Sequence, residues 1–265
     1  MLNLNSNTFL EVAEIKRKAP SIFTTTSSPE VSDKYTHIPT SIVLEDMEKL
    51  GWGVVDVKEI KARKGVGFQK HLIVFRNNDI VINGEDGDVV YPQILLTNSH
   101  DGKSSFTFTA GLFRMICENG LVVSTQEFEN VKMRHMGYAF EELQENIKEM
   151  VERLPLTVET MNRMKQIQVT EKQKVEFAKK ALSTRFTEEQ IKHIQVDYMS
   201  LLEPTRDEDK SNDLWTVFNV VQEKILNGDF QYLNGTKTRK ARKIKNFQQD
   251  MKINQGLFEF ALEMV

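Results

Sequence analysis

The chain has 265 residues, 40% of them apolar and 28% charged, with a formal net charge of −3. That size and composition are enough to bury a sizeable core, which excludes a disordered or low-complexity polymer, while the near-neutral balance excludes bulk charge as a guide to partners. The single cysteine, Cys117, excludes an intramolecular disulfide and any multi-cysteine zinc site, and apolar runs such as Leu72-Ile73-Val74-Phe75 fall far short of the roughly 20 residues of a membrane span.

In chain order, Thr8 to Ala19 reads as a short helix and Thr24 to Pro29 as a loop, so residues 1–36 are expected to form an N-terminal arm. Pro39 and Gly51 bracket a helix whose Ile42, Val43, Met47 and Leu50 share one face. Short β-branched runs follow at Val54 to Ile60, His71 to Arg76, Asp79 to Asn83, Ile94 to Asn98 and Ser105 to Thr109, separated by Gly, Asn and Asp. Leu121 to Ser124 and Asn130 to Met136 extend this antiparallel meander. Leu112 to Glu118 reads as a short inserted helix ended by Asn119-Gly120. An antiparallel α+β core over 37–137 is the expectation.

From 138 to 265 the periodicity is helical, in a region packed on the core or extending from it. Phe140, Leu143, Ile147, Met150, Val151 and Leu154 form an apolar stripe between glutamates. Thr170 with Gln173, and Thr187 with Gln190, match capping boxes, and Ser211 or Asn212 can cap a helix running through Leu214 to Ile225 and ending near Gly228. Two last helical segments divide near Asn254 and Gly256. The fold class is therefore α+β, a largely antiparallel sheet with inserted short helices followed by an all-helical C-terminal half.

Three groups of residues carry candidate chemistry. Asn98-Ser99-His100-Asp101-Gly102 has the composition of a tight β-turn; its alternative reading is an acid-base or metal-ligand set of His100 and Asp101, joined through the fold by His37 or His135. Period-2 alternation puts Val131, Met133 and His135 on one strand face and Lys132 and Arg134 on the other, a basic row suited to phosphates. Between Thr236 and Asn246 lie Lys237, Arg239, Lys240, Arg242, Lys243 and Lys245 with no acid, whereas Glu203 to Asp213 is mainly acidic. Read as a helix, the basic run is either a nucleic-acid footprint or a solvated surface paired with that acidic stretch. No Walker, Gly-x-Ser-x-Gly or His-Glu-x-x-His pattern occurs, and no cofactor is expected.

The Asn98 to Gly102 turn, Cys117-Glu118-Asn119-Gly120, Tyr35-x-His37-x-Pro39, Arg134-His135 and Leu214-Trp215-x-x-x-Asn219 together resemble a phage- and plasmid-like family catalogued as domain of unknown function 932. Met136 stands where a hydroxylic residue is common in that family. The resemblance implies a mobile-element protein, encoded by a bacteriophage, plasmid or prophage, often beside genes for recombination or anti-defence. The leading expectation is a cytoplasmic, oligomeric, non-enzymatic DNA-binding protein, such as a single-strand-binding or annealing factor. The alternatives are an anti-defence protein that blocks a host immune protein and a metal-dependent hydrolase. No membrane association is expected.

Overall fold

The computed structural model describes residues 8–32, 35–61, 66–83, 89–104, 106–114, 119–122, 131–133 and 140–265. The chain divides into two compact units, Leu2–Leu154 and Pro155–Val265.

The first unit opens with α1 (Val12–Lys18), a 3-10 turn at Pro20–Phe23 and α2 (Thr40–Lys49). Then come β1 (Gly53–Glu59), β2 (His71–Arg76), β3 (Ile82–Asn83), β4 (Val89–Asn98), β5 (Phe106–Arg114), β6 (Asn119–Val122) and β7 (Val131–Met133). They form one antiparallel sheet in the order β1-β2-β4-β5-β6, with β3 added to β4 and β7 to β5. All six residues of β2 are buried, so this strand is covered on both faces and its unbroken Leu72 to Phe75 run follows from that position. The N-terminal segment is docked: Leu10 donates its N–H to Val54 O at 2.7 Å, and Ile15, Ala19 and Ile22 are buried. In α2 it is Val43 and Met47 that enter the core, while Ile42 is exposed.

The inserted helix at Leu112 to Glu118 requires correction. Leu112, Phe113 and Arg114 belong to β5, paired to Pro92, Tyr91 and Val90 on one side and to β6 on the other, and Asn119-Gly120 opens β6 rather than ending a helix. The Phe106-Thr107-Phe108-Thr109 alternation carries the strand onward, because ladder bonds to a ten-residue neighbour outweigh the local helical pattern. Cys117 lies outside the described residues.

α3 (Phe140–Gln166) begins in the first unit and continues past Pro155. The second unit adds α4 (Glu171–Arg185), α5 (Glu188–His193), β8 (Ile194–Val196), α6 (Tyr198–Leu202), α7 (Leu214–Asn227), β9 (Gln231–Asn234), β10 (Lys237–Lys240) and α8 (Phe247–Leu262). Both expected capping boxes are present, at Thr170 with Gln173 and at Thr187 with Gln190. α7 is the core: Phe218 stacks on Trp215 at 5.7 Å and meets Phe177 of α4 at 6.4 Å and Phe258 of α8 at 6.0 Å. Each such ring contributes about 1.5–3 kcal/mol on burial.

Three details differ from the sequence reading. The cap of α7 is Asp213, whose carboxylate accepts from both the N–H and the hydroxyl of Thr216 at 2.8 Å, not Ser211 or Asn212. α8 runs through Asn254 and Gly256 unbroken, because Asn254 is buried and bonds Asp250 and Gln222, while Gly256 sits close against Thr184. And β8, β9 and β10 build a three-stranded antiparallel sheet among the helices, so the basic run is not helical.

Candidate nucleic-acid interface and a buried histidine cluster

The Asn98 to Gly102 turn leads into a closed polar cluster. Register places His71 opposite Asn98, and the Thr40 hydroxyl at the start of α2 lies between them. His71 Nδ1 faces Ser21 Oγ at 2.8 Å and Gln69 O at 3.1 Å; since a carbonyl only accepts, Nδ1 carries the proton. Nε2 then accepts from Thr40 Oγ1 at 3.0 Å, and that oxygen accepts in turn from Asn98 Nδ2 at 2.9 Å and, at a longer 3.4 Å, from His100 Nε2. The His100 ring centroid is 4.6 Å from that of His37 and 5.4 Å from that of His71. His37 donates from Nε2 to Thr24 O at 3.1 Å.

Ser21, Thr40, His71, Asn98 and His100 are each 0% exposed. Burial first, then the neighbouring His100, lowers the pKa of His71 to about 3, so the ring is neutral at ordinary pH. Asp101 serves elsewhere: its Oδ1 accepts from Ser99 Oγ at 2.6 Å and from Lys103 N at 3.0 Å. Its charge, after desolvation, helps raise the pKa of Tyr35 and opposes the burial that lowers that of Lys70. The fold thus brings His37 and His100 together with the unanticipated His71, and gives Asp101 to the turn. Among the described residues no group of three or more His, Cys, Asp or Glu side chains is placed to hold a metal. His135 and Arg134 lie outside the described residues, and of Lys132 only the backbone is described, paired with Thr107.

The basic run lies on β10 and the segment after it. Gly235-Thr236 is a two-residue loop joining β9 to β10, with Gly235 at φ 62°, the positive value that a primed hairpin turn demands. Lys237, Arg239, Lys240, Arg242, Lys243 and Lys245 are all exposed. Lys240 comes within 4.0 Å of Asp229, and among the described residues the other five have no carboxylate partner. The acidic stretch does not neutralise them. Arg206 holds Asp209 at 2.9 Å and also pairs with Glu223, Lys210 pairs with Asp207, and Asp213 caps α7.

The cations stand on a fixed backbone. Ala241, Ile244 and Phe247 are buried at every third position, turning Arg242, Lys243 and Lys245 outward. Ala241 N donates to Phe230 O at 3.0 Å and Ile244 N to Leu226 O at 2.8 Å. Arg185 donates to the carbonyls of Ile225 and Arg242 while lying over the rings of Phe186 and Phe230, and burial lowers its pKa. Gly228 ends α7 at φ 73°, where a Cβ would come within 2.6 Å of the Arg242 carbonyl carbon, so only glycine lets the basic segment pass.

These features define an α+β protein of two compact units. The chain belongs to the family described as "Domain of unknown function (DUF932)", which matches residues 29–258. It is 30% identical over 251 residues to UPF0380 protein YafZ of Escherichia coli (strain K12), covering 94% of this chain and 89% of that protein. It is 29% identical over 252 residues to UPF0380 protein YfjQ of the same organism, with the same coverage. No solved structure matches the chain. Among the described residues no helix is long and apolar enough to cross a membrane.

Proposed function

We propose that this protein binds DNA through β10 and the segment to Asn246, acting in mobile-element DNA metabolism rather than as an enzyme. The observation that supports the reading is the set of exposed cations, Lys237, Arg239, Arg242, Lys243 and Lys245, with no carboxylate partner among the described residues on a backbone pinned from beneath. Several lysines and arginines elsewhere in the second unit sit in helical ion pairs, such as Lys179 with Glu176 and Arg163 with Glu159, whereas the cations of this segment are clustered. Cations left unneutralised on a rigid edge gain most from phosphates, because each contact releases condensed counterions.

Fluorescence anisotropy with labelled single- and double-stranded DNA at two salt concentrations tests the reading. Binding is expected to weaken with salt, and replacing Lys237, Arg239, Arg242 and Lys243 by Ala reduces the slope of log affinity against log salt by about 3. A slope unchanged by those four substitutions removes the interface.

A further inference from the structure

Beside the basic hairpin lies an open cleft of about 350 Å³, walled by Phe186, by Glu189, Gln190 and His193 of α5, and by Tyr232 and Asn234 of β9. We infer that this cleft receives an unpaired nucleobase, which makes single-stranded nucleic acid the ligand of the interface; the inference rests on the DNA-binding reading above. The register carries it. Arg239 pairs with Tyr232 and Lys237 with Asn234, and directly opposed residues of an antiparallel pair project to the same face. Tyr232 and Asn234 line the cleft, so Lys237 and Arg239 flank it on that face, while Thr238 and Lys240 project to the other.

The chemistry of the walls separates base from phosphate. Phe186 and Tyr232 meet edge to face, centroids 5.4 Å apart, and Tyr232 also neighbours Phe230 at 6.4 Å, so an aromatic platform is held in place. Glu189 on the wall repels a phosphate but accepts from a base N–H, and the Asn234 amide can both donate and accept. The Gln190 carbonyl oxygen is engaged by the Thr187 N–H, which leaves its amide NH₂ as a donor to a base edge. The flanking Lys237 and Arg239 suit the phosphates on either side. A volume near the lower end of the ~300–1,000 Å³ range of small-molecule sites fits one base, not a duplex.

The test compares a single-stranded oligonucleotide with an abasic strand of equal length and with duplex DNA, at one low salt concentration. The wild type is expected to bind the base-bearing strand from about 5-fold to about 150-fold more tightly than the abasic strand. Tyr232→Ala removes most of that margin and leaves abasic and duplex affinities unchanged. His193→Ala, at an exposed position outside the Phe186 and Phe230 packing, produces a smaller loss of the same kind and stands as the test if Tyr232→Ala melts early. Equal wild-type affinity for base-bearing and abasic strands overturns the base pocket while the phosphate interface survives. Binding to none of the three overturns both.

Discussion

The histidine cluster of the first unit and the basic hairpin of the second are both rich in chemically active side chains, and they differ in what surrounds them. In the cluster, Thr40, His71, Asn98 and His100 are fully buried and bonded to one another. On the hairpin, Lys237, Arg239, Arg242, Lys243 and Lys245 face solvent with no carboxylate partner among the described residues. Histidine, serine and threonine in proximity suggest catalysis by type, yet here Ser21, Thr40, His71, Asn98 and His100 are sealed from solvent and bond mainly to one another. A row of lysines suggests a solvated surface by type, yet cations on a fixed backbone are ready for an anion.

Four changes break or sharpen that contrast. The largest effect is expected from Thr40→Val, which keeps the shape but removes the oxygen serving Asn98, His100 and His71; about 3 kcal/mol of stability is lost. Urea denaturation at pH 7 measures it, and an unmoved midpoint would show that the cluster does not hold the fold. DNA binding by the hairpin should survive wherever the variant is folded.

Next comes acid. His71 has a folded pKa of about 3, below its ordinary 6.5, so the unfolded chain takes up the proton first. Stability is therefore whole above about pH 6.5 and declines as pH falls towards 3, by about 2 kcal/mol at pH 5 from this group. His71→Phe should lack that component, which a pH series of urea midpoints reads directly; an identical series in both proteins refutes the assignment.

Gly228→Ala is expected to cost about 2 kcal/mol, from positive φ and from contact with the Arg242 backbone. It should also weaken DNA binding with no change of charge, since it displaces the segment bearing Arg242 and Lys243. Full affinity at a lowered melting temperature would show that the placement of those cations is immaterial. The smallest effect is Thr187→Ala, at about 1 kcal/mol through loss of the capping box, seen as a small drop in melting temperature.

The elements most legible in the sequence were those with local causes. β2 was bounded at His71 and Arg76, and both capping boxes were readable because their partners lie three residues apart. What escaped depended on distant partners. The helical reading of Leu112 to Arg114 gave way to a ladder with β4, and the first part of the basic run, Lys237 to Lys240, is a strand because β9, itself paired to β8, arrives to pair with it. Its short spacing carries no strand alternation of its own, although Asn234-Gly235 is a hairpin signal that could have located it. Residue type points to His100 and His37 but not to His71, Thr40 and Ser21, since only the β2–β4 register and the docking of α2 bring these together. The cleft beside β9 was invisible for the same reason.

The way Ala241, Ile244 and Arg185 clamp the basic segment bears on the thermodynamics of association. A disordered basic tail must surrender backbone freedom, about 1–2 kcal/mol per residue ordered, each time it engages a polyanion. On the DNA-binding reading proposed above, that ordering would precede binding, so the loss would be confined to side-chain rotamers. The segment would then act as a preorganised rail, held from underneath by Arg185, which donates to the carbonyls of Ile225 and Arg242.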